Sequence, residues 1–319
     1  MASKRNRKVK KRQKALQPRR CQQQPTNTQH PLPQIPPEHA DHFAMTTTGE
    51  IMQPIRLHYE VQDGKQLRAT FSTLRCLDYD APRKRWVWLY TDEAKSLPFK
   101  DKRAADNTVL GEFVFKGAEE VVLNLRSFER ATKALGFFDQ HIPRTVARVT
   151  AVTVSNRVIS LKDASSLTSL DHYFDSAEVV VHDAESMVQR LQDIASSTTD
   201  TQERIALAGK YMEEKAKTPL PPMERVTLNY YEDGIHSVEA LLAPRKVIAM
   251  QHWQGNTSYT YHDFVLEMFQ HGRRGVLSRC ILTGYRILVF LRRTCLGGLK
   301  RMCLYRPKAR SETAAPSDR

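Results

Sequence analysis

Acidic side chains are missing from one long stretch of this 319-residue chain: none occurs between Gly272 and Pro307. Cysteine is scarce. The five present are Cys21, Cys76, Cys280, Cys295 and Cys303, an odd number with no C-x-x-C pair, so free reduced thiols are expected rather than a disulfide framework. No apolar region follows the basic N-terminus, so no secretory signal is expected. No run of 18 uncharged apolar residues exists. The nearest stretch, Val276 to Leu291, carries Arg279 and Arg286, so no transmembrane span is expected. The phosphate-cradling G-x-x-x-x-G-K-[ST] loop, the G-x-S-x-G elbow and the H-E-x-x-H zinc pair are all absent. The sequence therefore nominates no catalytic residue, no metal site and no cofactor.

What is present is positive charge, and its placement is uneven. The formal net charge is +14, with +7 in residues 1–50, +10 in residues 273–319 and −3 between them. The two ends are therefore where a polyanion would be met, because each phosphate neutralised by Lys or Arg releases counterion. At the N-terminus the run is Lys4, Arg5, Arg7, Lys8, Lys10, Lys11, Arg12 and Lys14. Near the C-terminus Arg279, Arg286, Arg293 and Lys300 recur every seven residues. They accompany Leu277, Ile281, Leu288, Leu291, Cys295, Leu299 and Met302, an amphipathic helical pattern interrupted at Gly297-Gly298.

Four segments follow from composition. Residues 1–53 read as a disordered basic tail: Gln22 to Gln24 and prolines at 18, 25, 31, 33, 36 and 37 leave little apolar surface to offset the entropy of ordering. Met45 and Met52 are alternative start positions. Residues 54–160 read as a first α+β subdomain and 161–272 as a second, with 273–319 a basic amphipathic segment. Strand alternation at Ile55, Leu57, Tyr59 and Val61 opens the first. Asp63 caps a helix through Leu67, Phe71 and Leu74. Hairpin strands Leu77 to Asp80 and Arg85 to Tyr90 follow, then strands Gly111 to Lys116 and Glu120 to Leu125. Ser127 opens a helix with Phe128, Ala131, Leu135, Phe138 and Ile142 on one side, closed by Pro143, and a strand runs from Arg148 to Val154. Residues 155–176 look irregular. Beyond them a Val179 to Val181 strand, helices from Glu185 and Asp200, a hairpin (Val226 to Tyr231, Ile235 to Leu242) turned at Asp233-Gly234, a strand Lys246 to Met250 and a helix Asp263 to Phe269 are expected. The fold class is α+β: an antiparallel or mixed sheet with helices packed on one face.

Within the body, Tyr231, Asp233, His236, His252 and Asp263 form the densest group of titratable and aromatic residues, a possible cleft. No ligand spacing supports zinc there. Cys76 and His58 are a possible thiol–imidazole pair, against the plainer reading of a small buried cysteine. Trp86, Trp88 and Tyr90, like Phe113 and Phe115, could stack on bases, but Glu112 would repel phosphate and a core-facing role is the simpler expectation.

The segments Ser127-Phe128-Glu129-Arg130-Ala131, Phe137-Phe138-Asp139, Asn229-Tyr230-Tyr231-Glu232-Asp233-Gly234 and Gln251-His252-Trp253 resemble a set of cyanobacterial proteins to which no activity is assigned. The likeness covers residues 54–272. It implies a bacterial cytoplasmic protein and carries over no catalytic residue. The expectation for function is a non-enzymatic binding or adaptor protein, its body on another protein and its ends on RNA, DNA or an anionic membrane surface. The alternatives are an enzyme with a cleft at His236, His252 and Asp263, and a structural protein without a small ligand.

Overall fold

The computed structural model describes residues 42–99, 107–182 and 184–272. In chain order the elements are β1 (Ile55–Val61), α1 (Gly64–Thr73), β2 (Leu77–Asp80), β3 (Arg85–Leu89), β4 (Val109–Phe115), β5 (Glu120–Leu125), α2 (Phe128–His141), β6 (Ala147–Ser155), α3 (Leu161–Ser166), α4 (Leu170–Asp175), β7 (Val180–His182), α5 (Ala184–Ser197), α6 (Thr201–Lys217), β8 (Met223–Thr227), α7 (Tyr230–Asp233), α8 (Ile235–Trp253) and α9 (Tyr261–Gly272). The fold is α+β. One mixed eight-stranded sheet has the order β2-β3-β4-β5-β1-β6-β8-β7, antiparallel throughout except for the β7–β8 pair. Residues 54–160 supply six of its strands and residues 161–272 the other two.

Local chemistry explains most boundaries. Asp63 accepts hydrogen bonds from the amides of Lys65 and Gln66 at the start of α1, and Ser127 accepts from the Arg130 amide at the start of α2. The Ile142 amide closes α2 on the Phe138 carbonyl just ahead of Pro143. Gly117 turns β4 into β5 at φ +93°, a conformation only glycine adopts without strain.

The odd-numbered residues of β1, β5 and β4 face the dry core. There Phe71 of α1, Phe113 of β4 and Phe138 of α2 meet in sequence, with ring centroids 4.7 and 4.8 Å apart. Trp88 packs on Phe138 at 5.0 Å. Val238 and Leu242 of α8 join this cluster, so the long helices α2 and α8 lie on the same side of the sheet as α1. Gly111 lies beneath the cluster. A Cβ there would sit 2.6 Å from Leu125 Cδ2, so the close approach of β4 to β5 requires glycine.

Three expectations change. Residues 42–53, expected as part of a disordered tail, belong to the fold. The amide of Ala44 donates to the Ile159 carbonyl, that of Met52 to the Ala44 carbonyl and that of Leu161 to the His42 carbonyl. Residues 46–50 also close over Arg130 of α2, which is 1% exposed. Its Nε and Nη2 donate to Thr48 Oγ1 at 3.2 and 2.8 Å, and its Nη1 to the Val109 and Leu110 carbonyls. Glu50 Oε2 lies 3.6 Å from Nε, and the hydroxyls of Thr46 and Thr48 donate to that carboxylate. A composition argument misses such a segment because a distant buried cation orders it.

The irregular 155–176 segment contains α3 and α4, capped by Ser160 and Ser169. Helices of six residues are too short for periodicity to register. The hairpin at Asp233-Gly234 and the strand at Lys246 to Met250 are helical instead. Asp233 ends α7, Gly234 breaks the chain at φ +74°, and α8 runs unbroken through Pro244 and Lys246. The Asp-Gly pair suggested a hairpin, but burial of Val238, Leu242, Ile248 and Ala249, the first two in the core against the sheet, favours a helix.

A chain that starts at Met52 loses Thr48 and Glu50 and leaves the Arg130 guanidinium buried with fewer partners. We expect it to be less stable than the full chain by about 3 kcal/mol or more in urea unfolding. Coincident unfolding curves would show that residues 42–51 contribute nothing to the fold.

Candidate functional site

The second face of the sheet is polar, and it is where titratable side chains gather. Even-numbered residues of β1 point to it, so Arg56 and His58 lie side by side in the central strand, both buried. Across the strands are Asn124 and Glu120 of β5, Thr153 of β6 and Arg225 of β8. Helix α4 crosses this face and brings Asp171 and Asp175, one turn apart.

Two networks result. Arg56 donates through Nε to Asn124 Oδ1 at 2.7 Å, through Nη1 to Asp175 at 2.7 Å and through Nη2 to Asp171 at 2.8 Å, while the Phe174 ring lies 4.8 Å from the guanidinium carbon. Lys116 Nζ donates to the same two carboxylates at 2.9 and 2.6 Å. Two cations face two anions, and burial of the group is matched in charge. Burial alone would raise the Asp175 carboxyl, but hydrogen bonds from Lys116 and Arg56 hold it below the usual carboxylate range.

In the second network His58 Nδ1 lies 2.8 Å from Glu120 Oε1, and Nε2 lies 2.7 Å from Thr153 Oγ1. A carboxylate accepts only, so Nδ1 carries the proton and Nε2 accepts from the threonine hydroxyl. Burial depresses the imidazole to about 4, with Arg225 and Arg56 acting in the same direction and the Glu120 contact opposing. His58 is therefore neutral at pH 7. The carboxylate–imidazole–hydroxyl order is one that activates a nucleophile, yet Thr153 is 3% exposed and both ring nitrogens are already used. The hydroxyl offers no open side to a substrate, and the network ties β5, β1 and β6 together across the face.

The residues nominated by sequence do not converge. Tyr231 Oη accepts from the Val149 amide at 2.8 Å, with Arg144 stacked 4.6 Å from its ring. Asp233 ends α7. His236 is exposed near the start of α8 beside Glu239, at 3.1 Å. His252 lies sixteen positions further along α8, about 24 Å of axial rise, where Nε2–H donates to the Tyr259 carbonyl at 2.8 Å. Asp263 accepts from the Thr260 amide and hydroxyl, both at 2.7 Å, a capping role. Only His252 and Asp263 share a neighbourhood, through the Tyr259-Thr260 link. A helix stands where a hairpin was expected, and it separates the rest. The crevice walled by Tyr59, Phe138, Asp139, Tyr230 and Tyr231 has about 10 Å³ of free volume, room for one water.

Cys76 sits in the dry core and His58 on the opposite face, so they do not pair. Burial and the Glu93 carboxylate push the Cys76 thiol up to about 12. Trp86, Trp88, Phe113 and Phe115 pack with Phe71 and Phe138 in or against the core. Among the described residues no three His, Cys, Asp or Glu side chains are placed to hold a metal ion, and no helix is long and apolar enough to cross a membrane. Lys4, Arg5, Arg7, Lys8, Lys10, Lys11, Arg12, Lys14, Arg279, Arg286, Arg293 and Lys300 lie outside the described residues. Strand alternation alone places Arg56 and His58 together, since charged residues inside a central strand are costly unless matched. Asp171 and Asp175, in a short helix far along the chain, leave no such signal. Comparison with protein-family models, curated proteins and solved structures gave no match.

Protonation of His58 favours the unfolded chain, because its folded value of about 4 lies below the ordinary 6.5. The associated stability is fully present above pH 6.5 and is lost as pH falls towards 4, a difference of about 3 kcal/mol. Urea unfolding from pH 7 to 4 should show this loss, and His58→Gln should flatten it. Parallel pH profiles for the two proteins would mean that His58 does not titrate as a buried neutral ring.

Proposed function

We propose that this chain is a non-enzymatic, cytoplasmic binding protein. Its cationic ends attach to the phosphate backbone of nucleic acid and its folded body serves as the carrier. The observation that supports this reading is the charge partition: +7 and +10 in the ends against −3 in the residues between them. Attachment of this kind is salt-sensitive and indifferent to base sequence.

The chemistry of the body favours the same division. Its buried and half-buried cations on these networks already have acceptors: Arg56 and Lys116 on Asp171 and Asp175, Arg245 on Glu224, Arg130 on Thr48 and main-chain carbonyls. They are committed to the fold and do not serve a ligand. The sheet edge at β7 supports a protein partner for the body, since Val181 there is 67% exposed.

The test is binding of the full chain to single-stranded RNA across a salt series, beside variants with the eight cations from Lys4 to Lys14 changed to Gln, or with Arg279, Arg286, Arg293 and Lys300 changed to Gln. The N-terminal variant should reduce the slope of log K against log salt by up to about 5, and the C-terminal variant by up to about 3. Unchanged affinity and slope in both variants would overturn the reading. Binding to phosphatidylserine vesicles without binding to RNA would move the attachment to lipid.

A further inference from the structure

Among the described residues helix α9 packs chiefly on α6 and α8, and part of its surface stays open. On the open part Leu266 is 44% and Phe269 55% exposed, three residues apart and so in line along the helix. Beside them runs an open groove of about 420 Å³, whose lining includes Tyr259, Asp263, Leu266, Glu267 and Gln270. Its two charged side chains are both carboxylates, and α9 contains no Lys or Arg. Asp263 accepts from Thr260 and Glu267 from the Tyr259 hydroxyl, and the two keep their negative charge; beside a half-exposed leucine and phenylalanine they suit an occupant that is apolar on one side and cationic on the other.

The chain supplies such an occupant four residues after α9 ends. Residues 273–306 contain no acid, and the apolar series Leu277, Ile281, Leu288 and Leu291 alternates with Arg279 and Arg286. The tether between groove and segment is a few residues, which puts the local concentration in the millimolar range, so that even weak docking is populated. We infer that the groove on α9 is the docking surface for the chain's own segment 276–291, with Leu277 and Ile281 covering Leu266 and Phe269 and the arginines facing Asp263 and Glu267. This goes beyond attachment to nucleic acid and does not depend on it. Docking covers the apolar stripe, so the leucines are not what the segment offers to a partner.

Cys280 lies inside the docked segment and reports on it. The full chain is alkylated with iodoacetamide without nucleic acid, and the peptides containing Cys280 and Cys76 are followed by mass spectrometry. Leu266→Glu with Phe269→Glu should raise the Cys280 rate about five-fold or more, while buried Cys76 stays slow in both proteins. Circular dichroism checks that the helices persist, and if the double variant unfolds, Phe269→Ser carries the same comparison. Equal Cys280 rates in the parent and the folded variant would overturn the inference. So would protection that disappears on dilution, which would assign the groove to a second copy of the chain. A protein that fails to bind RNA still returns a result here, so this inference and the proposed function fail separately.

Discussion

Arg56 is a buried cation in an inner strand of the sheet, and helix α4 is placed across it so that two carboxylates neutralise it. A buried cation without partners costs several kcal/mol. β1 and its neighbour β5 provide only Asn124 as a neutral acceptor. The carboxylates come from α4, more than a hundred residues along the chain. The connection from β6 to β7 therefore crosses the polar face and does not run free to the sheet edge. Lys116 makes the exchange even: with one cation the two carboxylates of α4 would repel, and with two the cluster is neutral. Phe174, on the same helix, adds an aromatic face beneath the guanidinium.

Sequence reasoning does well where one local rule decides the outcome. β1, the β2–β3 hairpin, β4, β5 and α2 are legible because period-2 alternation, a turn or a serine cap coincides with burial. It fails where a distant group decides. Thr46 to Glu50 has the composition of a tail, and Arg130 makes it part of the fold. Asp233-Gly234 has the chemistry of a hairpin turn, but the sheet has a strand on only one side of it, and α8 is held by contacts with the core. The candidate cleft rested on the density of titratable and aromatic residues along the sequence, and α8 holds His236 and His252 far apart. The polar face was half legible: Arg56 and His58 are visible as polar residues alternating with the apolar ones of β1, but their acidic partners are not.

The buried histidine illustrates how saturation differs from reactivity. Glu120, His58 and Thr153 stand in the order that catalytic relays use, at hydrogen-bonding distances. In a relay the imidazole or the hydroxyl must present a free side to the substrate. Here burial that lowers the imidazole to about 4 also closes the hydroxyl off. A neutral ring that both donates and accepts inside a sheet satisfies its polar atoms without importing charge, which is the cheapest state for a group between Arg56 and Arg225.

The same accounting bears on where function lies. In the described body, cations that face the interior are matched by carboxylates or carbonyls, and adding a phosphate to any of those clusters would break an existing match. Binding of a polyanion by such residues would cost the fold its own ion pairs. Residues 273–306 and residues 1–37 contain no acid, so neither stretch can neutralise its own cations. The segregation is thus more than an average over the sequence. A body stabilised by internally neutralised charge can carry strongly cationic ends without competition between them, provided that acidic surface on the body, such as the Asp263 and Glu267 side of α9, is either occupied or screened.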